Sequence, residues 1–305
     1  MVSVTTALTV AVPLLSILLH LLEKEPHFEA YKQYGNPENP PLIIIPGLDG
    51  CTSFFSDVIP EFTPMYNVVV FNLPLAPSPF QRTRKDTPAY SFKFIASELK
   101  KVMDTLSIDK AHVIGESFGG VVAQQFTIDH PDAVDRLVVL SSLAKTDMPP
   151  IIAFKANYLL PAVRGLGLLF PGAAQTLFAH LHVGDVIEPH EPKWVKDFFK
   201  KEASWAHHYS VMARLAIVIP LDILEEVKAI KHPTLLLYGK DDHFTGKDSL
   251  ILNKAIPNSR MVGLPGGHLP HLTNPKSFAA EVQAFLKPPP PPPVERPGPS
   301  LPSSF

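Results

Sequence analysis

Short apolar runs alternate with segments of helical periodicity along most of the chain. Runs such as Leu42–Ile45 and Val68–Phe71 are too short for helices and lack the polar alternation of a half-exposed strand. Helical patterns follow several of them, an order that favours a mostly parallel sheet with helices on both faces. The predicted strands are Phe28–Tyr34, Leu42–Ile45, Val68–Phe71, His112–Ile114, Leu137–Leu140, Thr234–Tyr238 and Arg260–Val262. The predicted helices are Ser53–Glu61, Ser91–Leu106, Phe118–Asp129, Ser249–Ala255 and Pro275–Leu286.

The interval from Leu143 to His232 interrupts this alternation. It shows no clear strand, is helical in pattern and is rich in hydrophobic residues. An insertion of this size between two strands is typical of a lid over a binding site. We therefore expect a helical cap over residues 144–232, inserted into an α/β core formed by residues 23–143 and 233–287. Ordinary helix packing accounts for most of the hydrophobic residues in either case.

The segment Val2–Leu22 contains no Asp, Glu, Lys or Arg. As a helix it would span about 30 Å, roughly the thickness of a bilayer core. We therefore expect residues 1–22 to be a membrane anchor and the protein to be membrane-associated. The charges that follow leave the orientation open. A helix packed on the globular domain or on another chain is the alternative.

The chain ends in a proline-rich tail, with Pro288–Pro293 as an unbroken run. Proline lacks the N–H that helices and central strands require, so we expect residues 288–305 to be a disordered polyproline II segment. Together with Lys287 the run fits a ligand for proline-reading domains, whereas a solvated spacer is the alternative.

Composition narrows the classes of partner and ligand. With 27 Lys and Arg against 29 Asp and Glu, the formal net charge is -2. This balance gives no support to nucleic-acid binding. The single cysteine, Cys51, has no partner for an internal disulfide, and no Cys/His cluster has zinc-ligand spacing. We therefore expect neither a metal nor a cofactor.

The segment Gly115–Gly119 carries the strongest chemical signal. It reads Gly-Glu-Ser-Phe-Gly, follows an apolar strand pattern and precedes a helical one. This is the context of a nucleophile elbow, in which a sharp turn presents a serine and glycines leave room for it. We expect Ser117 to be the nucleophile. The N–H of Phe118, at the positive end of the helix, is expected to stabilise an oxyanion.

A general base and an orienting acid follow in the order that acyl transfer by a serine requires. His268 lies on a glycine-containing loop before the last predicted helix and is the predicted base, with His271 as its rival. The acid is expected after strand Thr234–Tyr238, where Asp241 and Asp242 compete. Asp248, on the next predicted helix, is expected to be a helix cap instead.

The second oxyanion donor is expected after the first core strand. The segment Pro46–Gly50 reads Pro-Gly-Leu-Asp-Gly, and a glycine-rich turn there can present a backbone N–H, most plausibly that of Leu48. A simple strand-to-helix turn with glycine at positive φ is compatible with the same residues.

These motifs resemble the α/β-hydrolase superfamily over roughly Phe28–Leu286. The resemblance implies an α/β-hydrolase fold with an inserted helical cap. It also implies that the acid is Asp242, three residues after the glycine of the strand-end turn, and that the first histidine of its loop, His268, is catalytic. Pro46 stands where many members have histidine, and this form of the turn looks more like maspardin-like proteins and phytyl-ester-synthase-like acyltransferases.

The sequence therefore predicts a serine hydrolase that cleaves a carboxylic ester of a lipid or another apolar acyl compound. Transfer of the acyl group to an alcohol uses the same acyl-enzyme and is the second hypothesis. A non-catalytic interaction protein built on the same fold is the third.

Overall fold

The computed structural model describes residues 28–76, 89–147, 154 and 158–287 of the chain. The predicted N-terminal anchor and the predicted proline-rich tail lie outside these residues. The strands within them are β1 (Tyr31–Tyr34), β2 (Pro41–Ile45), β3 (Asn67–Phe71), β4 (Ala111–Glu116), β5 (Val134–Leu140), β6 (Thr234–Gly239) and β7 (Ser259–Leu264).

All of these strands join one sheet, in the order β1-β3-β2-β4-β5-β6-β7. β1 pairs with β3 antiparallel, and the other neighbouring pairs are parallel. The mostly parallel sheet predicted from the apolar runs is therefore confirmed. Its parallel strands end at one edge, which is where open α/β sheets place their ligands.

Helices connect the strands and cover both faces of the sheet. They are α1 (Ile59–Phe62), α2 (Phe92–Thr105), α3 (Phe118–Asp129), α4 (Leu160–Leu169), α5 (Pro171–Val186), α6 (Lys193–Ser204), α7 (His208–Val218), α8 (Gly246–Ala255), α9 (Pro270–Thr273) and α10 (Pro275–Leu286). Short 3₁₀ turns occupy Thr52–Phe55, Pro131–Ala133 and Glu226–Ala229.

The side chains of β2 show how the sheet divides the core into two layers. Ile43 and Ile45 pack into the cluster that contains α2 and α3 residues, whereas Leu42 and Ile44 pack into the cluster on the other face. All four are fully buried. A strand buried on both faces needs apolar residues at every position, which explains the continuous apolar runs of the sequence.

The structure differs from the predicted elements between Ser53 and Glu61. One helix was expected there, but a 3₁₀ turn ends at Phe55 and α1 begins only at Ile59. Pro60, in the first turn of α1, lacks the N–H that a continuous helix would need at this point. The chain therefore starts a new helix instead of extending the first turn.

Helices α4–α7 lie between β5 and β6, in the interval where the sequence pattern loses its strands. We call these four helices the insertion. Gln175 on α5 donates a hydrogen bond to the carbonyl of Ala203 on α6, 2.9 Å away, so two helices of the insertion are tied to each other. The limits of the predicted cap, residues 144–232, stay a prediction.

The membrane location predicted from the sequence is wrong for the part of the chain that the structure describes. None of the helices in residues 28–76, 89–147 and 158–287 is both long enough and apolar enough to cross a bilayer. The segment that carried the prediction, residues 1–22, is not among the described residues.

Replacement of Phe126 by alanine should destabilise the protein by about 3–5 kcal/mol, because it removes a fully buried ring and leaves a cavity in the core. Phe126 lies on α3 and is fully buried in the core beside β4. Phe170→Ala is the matched control, since that ring is 56% exposed, and it should cost less than about 1 kcal/mol. Urea unfolding followed by circular dichroism measures both. Equal losses in the two variants would contradict the assignment of the core.

Candidate active site

Four parallel strands deliver the predicted site residues to one edge of the sheet. Leu48 follows β2, Ser117 follows β4, Asp242 follows β6 and His268 follows β7. Because β2 pairs with β4, and β6 pairs with β7, residues far apart in sequence meet at the carboxyl ends of the strands.

A tight turn between β4 and α3 presents Ser117. Its backbone has φ 52° and ψ -116°, a conformation that costs on the order of 1–3 kcal/mol for a residue with a side chain. Glycines on either side permit it: a Cβ on Gly115 would lie 2.3 Å from the carbonyl oxygen of Gly119, and one on Gly119 would lie 2.4 Å from that of Ile45. The strand, the turn and the helix therefore touch backbone to backbone.

A chain of hydrogen bonds runs from Ser117 through His268 to Asp242. The Oγ of Ser117 lies 2.9 Å from Nε2 of His268, and Nδ1 of His268 lies 3.1 Å from Oδ2 of Asp242. His268 is 3% exposed and Asp242 is 7% exposed, so the relay is shielded from water. Although burial alone would lower the pKa of His268, the Asp242 carboxylate and nearby Glu116 raise it above its ordinary value.

Asp242 is fixed by the turn that follows it. The backbone N–H groups of Phe244 and Thr245 donate to its Oδ1 at 2.9 and 3.0 Å, and the hydroxyl of Thr245 donates to its Oδ2 at 2.7 Å. Burial works against ionisation, but His268 and these hydrogen bonds lower the pKa of Asp242 to about 2. The carboxylate is thus ionised and held in one orientation.

The rival residues lie elsewhere. Asp241 is half exposed, with its carboxylate 3.5 Å from Nε2 of His190. His271 is fully buried and stacked on Phe55, with ring centroids 4.4 Å apart. Its pKa is lowered to about 3 by burial and by His268, so it is a neutral core residue.

Asp248 does not cap a helix as the sequence suggested. Thr245 holds the N-cap position of α8, and Asp248 lies within the first turn, with its side chain on the cavity described below.

Two backbone donors on the wall of the cavity are unoccupied, one in the turn after β2 and one at the start of α3. The turn after β2 is closed by a hydrogen bond of 2.9 Å from the Gly50 N–H to the Gly47 carbonyl. The N–H of Leu48 makes no hydrogen bond to any described residue, and neither does that of Phe118 at the start of α3. Such unpaired donors next to a nucleophile are what an oxyanion hole requires.

Glu116 is a site residue that the sequence reading missed. It precedes Ser117, is 3% exposed and packs against the turn after β2, since a Cβ on Gly47 would lie 2.4 Å from its Oε2. Burial raises its pKa to about 7, although His268 and a hydrogen bond from the Gly47 N–H act in the opposite direction. Glu116 is the last residue of β4, a position usually occupied for packing. The only signal in the sequence is therefore its charge, which is unusual in a buried strand.

Arg214 was also missed, because it lies on α7, far from the motifs in sequence. It is 3% exposed, and its guanidinium donates to the carbonyls of Leu48 and Leu73 at 2.9 and 3.2 Å and to the hydroxyl of Tyr90 at 3.3 Å. The insertion is therefore tied directly to the turn that carries Leu48.

A cavity of about 510 Å³ opens at Ser117 between the core and the insertion. Its apolar wall combines core and insertion side chains, among them Phe54, Leu143, Val186, Phe199, Leu215 and Val218. In the residues that the structure describes, no group of three or more His, Cys, Asp or Glu side chains could hold a metal ion. The cavity brings together Ser117 and His268 of the relay, the two N–H donors and several acidic side chains.

Comparison with known proteins finds similar sequences and similar folds in proteins that are named as hydrolases or lactonases. The chain is 26% identical over 265 residues to a protein of Pseudomonas syringae named "Putative carbamate hydrolase RutD", a match that covers 85% of this chain and 98% of the relative. Among solved structures it resembles a hydrolase from Pseudomonas aeruginosa, with a TM-score of 0.71 and 21% identity over 85% of this chain and 94% of the other. It also resembles an enol-lactonase from Burkholderia xenovorans, with a TM-score of 0.70 and 18% identity over 84% and 95% of the two chains.

The profile of the family described as alpha/beta hydrolase fold matches residues 40–275, which include the whole parallel part of the sheet and the turns at its edge. The chain therefore belongs to the α/β-hydrolase family.

Proposed function

We propose that the protein is a serine hydrolase that cleaves a carboxylic ester with an apolar acyl group, as in a lipid. The observation that carries the proposal is the hydrogen-bonded relay of Ser117, His268 and Asp242 at the mouth of an apolar cavity. A serine is a weak nucleophile until a neighbouring base can take its proton, and this relay supplies both the base and the group that orients it.

In the proposed reaction, Nε2 of His268 takes the Ser117 proton as Oγ attacks the ester carbonyl. The negative oxygen of the tetrahedral intermediate is bound by the N–H groups of Leu48 and Phe118, and Asp242 stabilises the imidazolium. His268 then returns the proton to the departing alcohol, which leaves an acyl group on Ser117. Water, deprotonated by His268, then attacks the acyl-enzyme. The bond between the acyl carbon and Ser117 Oγ breaks, Oγ takes the proton back from His268, and the carboxylic acid is released.

The cavity supports an apolar acyl group because both of its walls present hydrocarbon. Phe54 and Leu143 come from the core, and Phe199 and Val218 come from the insertion. We therefore also propose that the insertion acts as a cap, since it completes the pocket in which the acyl chain would be desolvated.

Carbamate hydrolysis, the activity in the name of the Pseudomonas syringae relative, is compatible with the same relay. A cavity of about 510 Å³ has the size of sites for drug-sized ligands. Carbamate is a far smaller molecule, and its negative charge would meet the acids of this cavity. These features favour an ester over carbamate for this chain.

Acyl transfer to an alcohol is the second candidate. Because the same acyl-enzyme serves both reactions, the choice depends on what reaches it after the first product leaves. Within the described residues, the cavity wall presents more apolar than polar side chains, which would also accept an alcohol.

A fluorophosphonate probe should label the wild-type protein and leave Ser117→Ala unlabelled, because the reagent reacts with a serine activated by a base. Gel fluorescence after labelling is the measurement. Ser142→Ala is the control: its hydroxyl donates to the Ser117 carbonyl at 2.6 Å but lies outside the relay, so labelling should persist. A folded wild-type protein that takes no label would favour a non-catalytic interaction protein.

Activity should fall as the pH drops through the raised pKa of His268, because the protonated ring cannot accept the Ser117 proton. Glu116→Gln removes a negative charge that raises this pKa, so the acidic limb of the pH–activity profile should move to lower pH. Glutamine keeps the size of the side chain and an oxygen for the Gly47 N–H. Exposed Glu38→Gln is the control and should leave the limb in place; an unmoved or raised limb in Glu116→Gln would refute the proposed role.

Water should remain the main acceptor when an alcohol is added. Mass spectrometry of the products of a 4-nitrophenyl ester, hydrolysed with and without added medium-chain alcohol, measures the ratio of free acid to new ester. Predominant free acid is expected of a hydrolase. A new ester as the main product would assign the protein to the acyltransferases instead.

A further inference from the structure

The cavity at Ser117 is rich in acids as well as in hydrocarbon. Six of its lining residues are acidic: Asp49, Glu116, Asp147, Asp185, Glu188 and Asp248. None of the described residues that line it is lysine or arginine. Where these carboxyl groups are ionised, they repel an anion and attract a cation, and burial strengthens both effects relative to bulk water. The lining therefore favours a cationic ligand over an anionic one.

Some of these acids already have partners in the protein. The carboxylate of Asp185 lies 3.6 Å from Nδ1 of His182, and that of Glu188 accepts the backbone N–H of His243 at 3.1 Å. The first contact lies within α5 and the second joins the segment after α5 to the turn after β6, so both acids already have partners in the fold.

Asp49 differs from them. It follows Leu48 in the turn after β2, and its Oδ1 is buried without a hydrogen-bond partner among the described residues. The side chain of Asp49 also lines the cavity, so a positive charge bound there would stabilise the buried carboxylate electrostatically. A group bound by Asp49 would lie close to the ester carbonyl of the substrate, whose oxygen is proposed to bind the N–H of Leu48.

Among the described residues, no cation donates a hydrogen bond to Oδ1 of Asp49. Arg214 is the cation nearest to the turn, but its donors are directed at the carbonyls of Leu48 and Leu73 and at the hydroxyl of Tyr90. Burial raises the pKa of Asp49, although His182 and Arg214 act against this. A cation arriving in the cavity would favour the ionised carboxylate and so be bound by it.

Aromatic rings in the same cavity suit a cation as well. Phe54 and Phe199 both line it and stack on each other, with ring centroids 5.7 Å apart. The ring of His182, also on the cavity wall, lies 6.2 Å from that of Phe199. The face of an aromatic ring attracts a cation, and the attraction grows when water is excluded. Asp49, whose Oδ1 has no hydrogen-bond partner among the described residues, and these aromatic rings thus line one cavity.

We propose that the substrate carries a positively charged nitrogen and that Asp49 binds it, an inference that rests on the ester hydrolysis proposed above. Asp49 is then a specificity-determining residue: it selects cationic esters over neutral ones of the same shape and over anionic ones. The apolar wall takes the hydrocarbon that links the nitrogen to the ester.

Two pairs of esters test this, each differing only in a quaternary nitrogen or carbon. In the acyl pair, 4-nitrophenyl 5-(trimethylammonio)pentanoate is compared with 4-nitrophenyl 6,6-dimethylheptanoate. In the alcohol pair, hexanoylcholine is compared with 3,3-dimethylbutyl hexanoate. The full-length protein should hydrolyse the cationic member of at least one pair with a kcat/KM about tenfold higher or more. The 4-nitrophenyl monoester of adipic acid, an anion of similar length, should be the poorest of the acyl series.

Asp49→Asn should abolish the preference for the cationic member while the neutral member is still hydrolysed, which a merely structural role would not produce. Asp132→Asn, an exposed change near the start of β5 and thus at the opposite edge of the sheet, is the matched control and should keep the preference. Preference for the neutral member in both pairs, or an unchanged preference in Asp49→Asn, overturns this inference alone. Failure to hydrolyse any ester, together with an unlabelled Ser117, overturns the proposed function and this inference with it.

Discussion

The contact between backbone atoms at the end of β4 is the constraint on which the rest of the site depends. Gly115 and Gly119 bring the strand and α3 so close that no side chain fits between them, and Gly119 meets the end of β2 in the same way. A similar contact joins Gly239 to the loop that carries His268, where a Cβ would lie 1.8 Å from the carbonyl oxygen of Gly267. Serine, histidine and the turn after β2 are thereby held in place by main chain, which moves much less than side chains do.

Two acidic side chains close to His268, Asp242 and Glu116, differ in their pKa values. One carboxylate, Asp242, is hydrogen-bonded and ionised, whereas Glu116 is buried with a pKa raised to about 7 by that burial. Two acids close to one imidazole thus differ in protonation because one has hydrogen-bond donors from Thr245 and its neighbour and the other has little beyond the Gly47 N–H. The imidazole has one strong anionic partner and one that titrates near neutrality.

Much of this arrangement can be predicted from the sequence, because strand-length apolar runs and glycine-bearing turns are local signals. They indicated the sheet, the elbow at Ser117 and the loop of His268. Local pattern could not choose between Asp241 and Asp242, since only the hydrogen bonds of the folded turn distinguish them, and the resemblance to a family was needed. The local sequence pattern did not indicate Glu116 or Arg214 either, because their roles arise from burial and from contacts between segments distant in sequence. The membrane location failed for a different reason: it was inferred from one terminal segment and extended to the whole protein.

The contacts of Arg214 limit how freely the insertion can be exchanged during evolution. Insertions in a fold of this kind are usually regarded as exchangeable parts, since they leave the sheet through a single pair of connections. Here a buried guanidinium on α7 reaches the carbonyl of Leu48 and, beyond it, that of Leu73. A chimera that received a foreign insertion would leave both carbonyls buried and unpaired at the turn beside the nucleophile. The insertion and the turn are therefore expected to evolve together: a substitution of Arg214 should require a compensating change near Leu48 or Leu73.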